Sequence, residues 1–298
     1  MKHAILLTVL LLPGMVFAAG ETLPSYVLQL PKSVKTVLVA ETDTATLHRY
    51  VADDAGKFTN KTWRISIGQK GAGKQKSGDR RTPLGVYFVV EHLETTKMHE
   101  KYGPAAFPLD YPNAWDAANK RTGHGIWIHG VTPGGGARPE RDTDGCIALP
   151  NDKLLILQPH LTPLQTPVIV TRRIETVDQK VIEATRTKLL AALDAWSTSY
   201  RDGNWYKYVS LYMDTFDYRG MNRGDWSAYR IQTVGDREIE DFSIDDILLV
   251  ADPEDDGLYL SRFRQRINES DRSITTTKRL YWRKNEWGEF KIVAEDNG

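Results

Sequence analysis

Ile126-Trp-Ile-His-Gly130 and, after a glycine-rich stretch, Thr143-Asp-Gly-Cys-Ile-Ala148 are the residues around which this chain is organised. Cys146 is the only cysteine in 298 residues. The N-terminus reads as an export signal, so the thiol has no intramolecular disulfide partner in an oxidising compartment. That is a liability unless its chemistry is used. His129 closes an apolar, β-type run and is followed by glycine. A cysteine nucleophile needs a base within hydrogen-bond reach, and histidine is the usual one. Either residue alone reads as readily as packing, because free cysteine is often buried and a histidine at a strand end is often a satisfied core residue. The surroundings decide. Thr-Asp-Gly-Cys is a turn sequence whose glycine lets backbone approach a substrate closely, a poor place to bury an inert thiol.

Upstream, Gly78-Asp-Arg-Arg-Thr-Pro-Leu-Gly-Val-Tyr87 leads through a Pro/Gly turn into a strand. Ile-His-Gly, a loop, Thr-Asp-Gly-Cys-Ile and this segment together resemble the catalytic domain of the L,D-transpeptidase (YkuD) family over residues 33–172. Members are cysteine acyl-transfer enzymes of the bacterial cell wall. The resemblance implies that Cys146 attacks a peptide carbonyl to form a thioester. His129 then serves as proton acceptor and afterwards as the acid for the leaving amine. The Gly130 carbonyl would orient the imidazole, and backbone N–H groups around Gly145 and Cys146 would stabilise the oxyanion. The implied substrate is the peptidoglycan stem peptide, attacked between diaminopimelate at position three and D-alanine at position four. No cofactor is implied.

The sequence departs from the family's commonest motif, Ser-His-Gly-Cys followed by a hydrophobic residue and arginine. Asp144 stands in place of that histidine, and Ala148 in place of the arginine. A guanidinium to bind a substrate carboxylate is then expected from Arg138 or Arg141 in the preceding loop, with Asp144 also at the substrate. Between His92 and His124 the stretch Tyr102 to Asp116 is dense in proline and aromatics. No regular helix tolerates that spacing, so an ordered loop walling a groove is expected. Tyr111 is a candidate substrate contact there, although Tyr111, Asn113 and Asp116 read equally well as internal braces.

Lys+Arg of 39 against Asp+Glu of 39 gives no net charge, so overall charge offers nothing to a nucleic acid. The length suits two domains. Met1 to Ala19, with Lys2, an apolar run, a Pro13-Gly14 break and Val16-Phe-Ala-Ala19, has the layout of a cleavable secretory signal. The apolar run is short for a span of about 20 residues, and a periplasmic protein without a transmembrane segment is expected. Residues 20–32 read as a linker. From Ser33 to Gly68 the pattern alternates as in strands, and the Lys-rich loop Gly68 to Gly78 is expected to be a solvated face.

The pattern changes after Arg172. Residues 173–180 read as a linker, and an amphipathic helix is expected over 178–200, a second from Trp205, and strands over 258–267, 278–283 and 289–295. Helices first and a curved sheet after, over 181–298, is similar to the NTF2-like cone fold. The fold class expected is therefore a mainly β catalytic domain, a YkuD-like β-sandwich with short helices, followed by a smaller α+β NTF2-like domain. That second fold serves as enzyme, binding pocket or dimerisation module, so homodimerisation through it is one role to consider. Asp214, Asp217, Asp245 and Asp246 lack metal-ligand spacing and histidine company, so no metal is expected. The combination resembles the subgroup that includes cell-shape L,D-carboxypeptidases, and so favours hydrolysis of tetrapeptide to tripeptide. Formation of 3-3 crosslinks, or attachment or release of an envelope lipoprotein, are alternatives, as is a non-catalytic wall-peptide clamp. A catalytic pair is expected to hold a fast-labelling thiolate; a clamp is not.

Overall fold

The computed structural model describes residues 23–298 except Gly56, Ala137, Asp236 to Glu238 and Asp271. The segment Met1 to Ala19, expected to be a secretory signal, lies outside the described residues. Among those described, no helix is long and apolar enough to cross a membrane.

Val27–Gln29 (β1) opens the described chain, followed by the meander Thr36–Glu41 (β2), Thr46–Ala52 (β3) and Phe58–Arg64 (β4). Ile67–Gly68 (β5), Gly85–Phe88 (β6), Ala106–Pro108 (β7), Ala114–Ala118 (α1) and Trp127–His129 (β8) come next. Arg141–Thr143 (β9), Ile147–Ala148 (β10), Asn151–Leu157 (α2) and Pro167–Thr171 (β11) complete the first domain. Its main sheet runs β4-β3-β2-β11-β6, and a smaller one runs β10-β8-β7. Leu38 and Ala40 of β2 face a core shared with Leu47, Tyr87, Phe107, Ile128, Ile147 and Leu154. Val37 and Val39 point the other way, into a cluster with Phe88, Ile169, Leu260, Tyr281 and Val293. A strand buried on both faces explains the unbroken apolar run Val37 to Ala40.

The second domain opens with Gln179–Arg201 (α3), Trp205–Ser210 (α4), Asp217–Tyr218 (β12), Met221–Asn222 (β13) and Arg223–Val234 (α5). The long strands Ile239–Ala251 (β14), Leu258–Glu269 (β15), Ser273–Lys284 (β16) and Phe290–Asn297 (β17) follow. Asp178, Asn204 and Asn222 cap the three helices by accepting from main-chain N–H groups. Leu193, Trp196 and Tyr200 of α3 pack on Leu249, Phe263, Leu280 and Trp282 on one face of the sheet. The alternate residues Leu248, Val250, Leu260 and Tyr281 pack against the first domain, so the period-two pattern of these strands serves two interfaces. A cavity of about 280 Å³ opens among Tyr200, Trp226, Arg230, Gln265, Lys278 and Glu295. In its wall Lys278 Nζ donates to Glu295 Oε1 at 2.7 Å.

Four features differ from the sequence expectations. Within segment 20–32, expected as a linker, β1 pairs antiparallel with β14, giving the C-terminal sheet the order β1-β14-β15-β16-β17. Helix α5 is unanticipated because only Trp226 and Val234 of it are buried, too few to set up a helical period. The proline-rich stretch holds the short helix α1, which starts just past Pro112 on an Asn113–Asp116 capping box. Lys74, expected in a solvated face, is buried, with Nζ 2.8 Å from Asp79 Oδ1. Asp214, Asp245 and Asp246 are ion-paired with Arg223, Arg264 and Arg262 respectively.

Candidate active site

Strands β8 and β10 run parallel, with Ile147 opposite Ile128 and Ala148 opposite His129. That register sets Cys146, the residue before β10, beside Trp127. Cys146 and His129 therefore leave the small sheet on the same face, one two-residue step apart. The strand dimensions put their Cα atoms roughly 8 Å apart.

His129 is buried, and its Nδ1 lies 2.6 Å from Gly130 O. A carbonyl only accepts, so Nδ1 carries the proton and Nε2 keeps its lone pair. The Gly130 peptide is in turn held in place. Its N–H donates to Tyr102 O at 2.9 Å. Asn151, at the start of α2, accepts from Val131 N–H at 2.7 Å and donates to Val131 O at 2.9 Å. A Cβ on Gly130 would stand 2.4 Å from Asn151 Oδ1, so only glycine fits. The Tyr102 ring meets the imidazole edge-on at 5.3 Å and lies 4.9 Å from the Trp127 ring.

Burial pushes His129 down to about 4; the Gly130 carbonyl opposes this, and Arg138 and Lys101 add to it. Cys146 is partly exposed, and its Sγ donates to Gly125 O at 3.3 Å. Enclosure of the sulfur raises the thiol. Asp144 pushes the same way, while the main chain at Trp127 and the Lys101 and Lys74 ammonium groups pull it back. Both directions favour neutral thiol beside neutral imidazole. Both shifts run against the thiolate expected from sequence, and the lone pair on Nε2 is the group available to accept a proton.

Gly145 adopts a φ of 130°, and a Cβ there would stand 2.7 Å from Arg81 O. This packs the Arg80-Arg81 turn against the residue before Cys146. The Gly145 N–H donates to Thr143 Oγ1 at 3.1 Å, and that hydroxyl donates to Cys146 O at 2.7 Å. Of the two expected oxyanion donors, Gly145 N–H is therefore occupied within the turn. Cys146 N–H has no hydrogen-bond partner among the described residues.

The remaining predicted contacts fall differently. Tyr111 is buried in the core, its OH donating to Thr122 O at 3.2 Å, so it braces the loop from inside rather than lining a groove. Arg138 Nε donates to Asp142 Oδ2 at 2.7 Å and its Nη2 to Asp142 O at 2.9 Å, which occupies the fork expected for substrate. Arg141 is exposed on β9 beside Gly71, and Asp144 is exposed with Arg80 Nε at 3.9 Å. Sequence reasoning passed over Lys101, Tyr102, Thr143 and Asn151. Asn151, following a proline at a helix start, carried the one usable signal, since a polar residue there is free to bond backbone outside the helix.

Residues 35–170 match the L,D-transpeptidase catalytic domain of the YkuD family, and residues 188–296 match the Cds6 C-terminal NTF2-like domain. The chain carries a YkuD catalytic domain. YkuD domains act on peptidoglycan peptides. The two-domain fold is also that of the helical cell shape determining protein Pgp2 from Campylobacter jejuni, at 24% identity and a TM-score of 0.76, over 92% of this chain and 95% of Pgp2. Bd1075 of Bdellovibrio bacteriovorus matches at 22% identity and a TM-score of 0.72, over 93% of this chain and 98% of Bd1075. No curated protein matches the sequence. In the YkuD domain, Cys146 stands just before β10, and His129 with the Gly130 carbonyl closes β8 two residues further along the same short parallel ladder.

Proposed function

We propose that this protein is a periplasmic cysteine L,D-carboxypeptidase that trims tetrapeptide stems to tripeptides at the diaminopimelate–D-alanine bond. The observation that carries the chemistry is the Nδ1–H to Gly130 O bond, because it leaves His129 Nε2 as the base on the face of the sheet that Cys146 shares. His129 Nε2 takes the thiol proton as Sγ bonds to the scissile carbonyl carbon. The carbonyl oxygen becomes an oxyanion beside the Cys146 N–H. Collapse breaks the C–N bond, the imidazolium returns its proton to the D-alanine amine, and a thioester remains. Water, deprotonated by the same nitrogen, then attacks the thioester and releases tripeptide acid and thiol. The substrate's free carboxylate meets Arg141 rather than Arg138, whose fork is held by Asp142. The preference for water as acceptor rests on the resemblance to cell-shape carboxypeptidases, and export on the signal-like Met1 to Ala19.

The deciding experiment incubates signal-less protein with disaccharide tetrapeptide and with purified sacculi, alongside Cys146→Ala. Tripeptide and free D-alanine from the wild type alone support the proposal. A yield of 3-3 linked dimers makes the enzyme a transpeptidase. Absence of turnover with both substrates refutes catalysis on wall peptides.

A further inference from the structure

Segment 109–126 leaves β7, carries α1 and returns to β8. Its ends are tied by Leu109 N–H to Ile126 O at 2.9 Å and by Tyr111 OH to Thr122 O at 3.2 Å. At its inner end is Gly125, whose carbonyl accepts the Cys146 thiol. Its outer side rests on the C-terminal sheet. Arg279 of β16 pairs with both Asp110 and Asp296, and Asp110 also accepts from Phe88 N–H at 2.7 Å. Arg283, on the same strand, pairs with Asp255 and lies 5.0 Å over the Trp115 ring, whose Nε1–H donates to that carboxylate at 3.1 Å. Ala114, Trp115 and Ala118 pack on the cluster of Leu258, Leu260, Tyr281 and Val293.

The Asp110 side chain is only 14% exposed; desolvation pushes its carboxyl up, and the guanidinium that the other domain supplies pulls it back down. One domain's loop is thus held by the other domain's charges, and the far end of that loop touches the nucleophile. We propose that the C-terminal domain is a positioning element of the active site: Arg279 and Arg283 fix segment 109–126, and through it the Gly125 carbonyl that holds the Cys146 thiol. This rests on Cys146 being the reacting group. Loosening the segment removes the acceptor that favours the protonated thiol and admits water to the sulfur. Turnover then falls while alkylation of Cys146 at neutral pH speeds up, and seeing both in a variant that melts like wild type separates loosening of the segment from general destabilisation of the fold.

The test uses full-length protein in two brace variants, Arg279→Lys and the double variant Arg283→Met with Trp115→Phe. Lysine cannot span two carboxylates as a guanidinium does. The control is Arg264→Met on β15, which breaks an exposed pair with Asp245 of β14. In the brace variants D-alanine release is expected to fall by roughly tenfold or more, since small displacements at reacting atoms carry large rate effects. Iodoacetamide should label Cys146 faster than in wild type, with a lower pH midpoint, and the control should match wild type in both assays. Wild-type labelling in a brace variant that melts like wild type overturns the proposal. If either variant loses its cooperative transition, the other carries the test. Should the wild type turn over no wall peptide, labelling still reads the brace, so a failure of the proposed function is distinguishable from a failure of this inference.

Discussion

Asn151→Ala removes the two-point clamp on Val131. The amide makes bonds of 2.7 Å and 2.9 Å to the N–H and O of that residue, and alanine reaches neither. Val131 is buried, so its peptide groups lose partners that water replaces poorly. At about 1–3 kcal/mol for each buried group left unsatisfied, partly relieved by relaxation, stability should fall by about 2–4 kcal/mol. The larger effect is on chemistry. The carbonyl of Gly130 must stay 2.6 Å from Nδ1 to keep the proton there, and the 130–131 peptide is what Asn151 holds. Freeing it lets the imidazole turn or change tautomer, and kcat should drop by about 10²-fold with KM little changed. Asn151→Asp keeps the acceptor for Val131 N–H but sets an oxygen against Val131 O, so it should fall between the two. Urea unfolding measures stability, D-alanine release gives kcat and KM, and the ¹⁵N shifts of His129 report the tautomer. If Asn151→Ala lost the expected stability but kept kcat within about twofold, the positioning role would be refuted.

Because burial holds His129 at about 4 and the base works when neutral, kcat/KM should stay high down through pH 6 and be lost as pH falls through about 4. Its folded value lies below the ordinary 6.5, so its contribution to stability is complete above that pH and is lost as pH falls towards about 4; urea midpoints across that range measure it. Gly145→Ala, with its Cβ 2.7 Å from Arg81 O and a φ of 130°, should cost about 10²-fold in turnover in a protein that still folds. Wild-type turnover would show that the Arg81 turn yields freely. Lys278→Met leaves Glu295 buried without its ammonium partner and should cost about 3–5 kcal/mol, restored in part by adding Glu295→Leu; urea titration of both variants checks this.

The sequence makes the proposed catalytic pair easier to see than its supports. Cys146 and His129 stand out because a lone cysteine in a turn and a histidine at a strand end carry chemistry in their side chains. Asn151 and Tyr102 act on backbone atoms brought near by folding, which no local pattern encodes. Arg138 illustrates the converse: a guanidinium in the right loop looks available until folding supplies Asp142 as its partner. Strand β15 is legible from alternation and β2 from its unbroken apolar run. Strand β14 is interrupted at Asp245 and Asp246, where its pairing with β15 shifts register. The two domains could be separated by composition, whereas the Arg279–Asp110 contact between them could not, since neither residue's neighbours announce a partner in the other domain.

Strand β1 has a consequence for the order in which this chain folds. Val27 pairs with Val250, so the sheet of the second domain is finished by a segment made before the whole first domain. Closing so long a loop delays that pairing until β14 exists, and the early strand must wait, unpaired, for a partner made late. Until then the outer edge of β14 is an open template for another chain, the interval in which this protein is most exposed to misassociation.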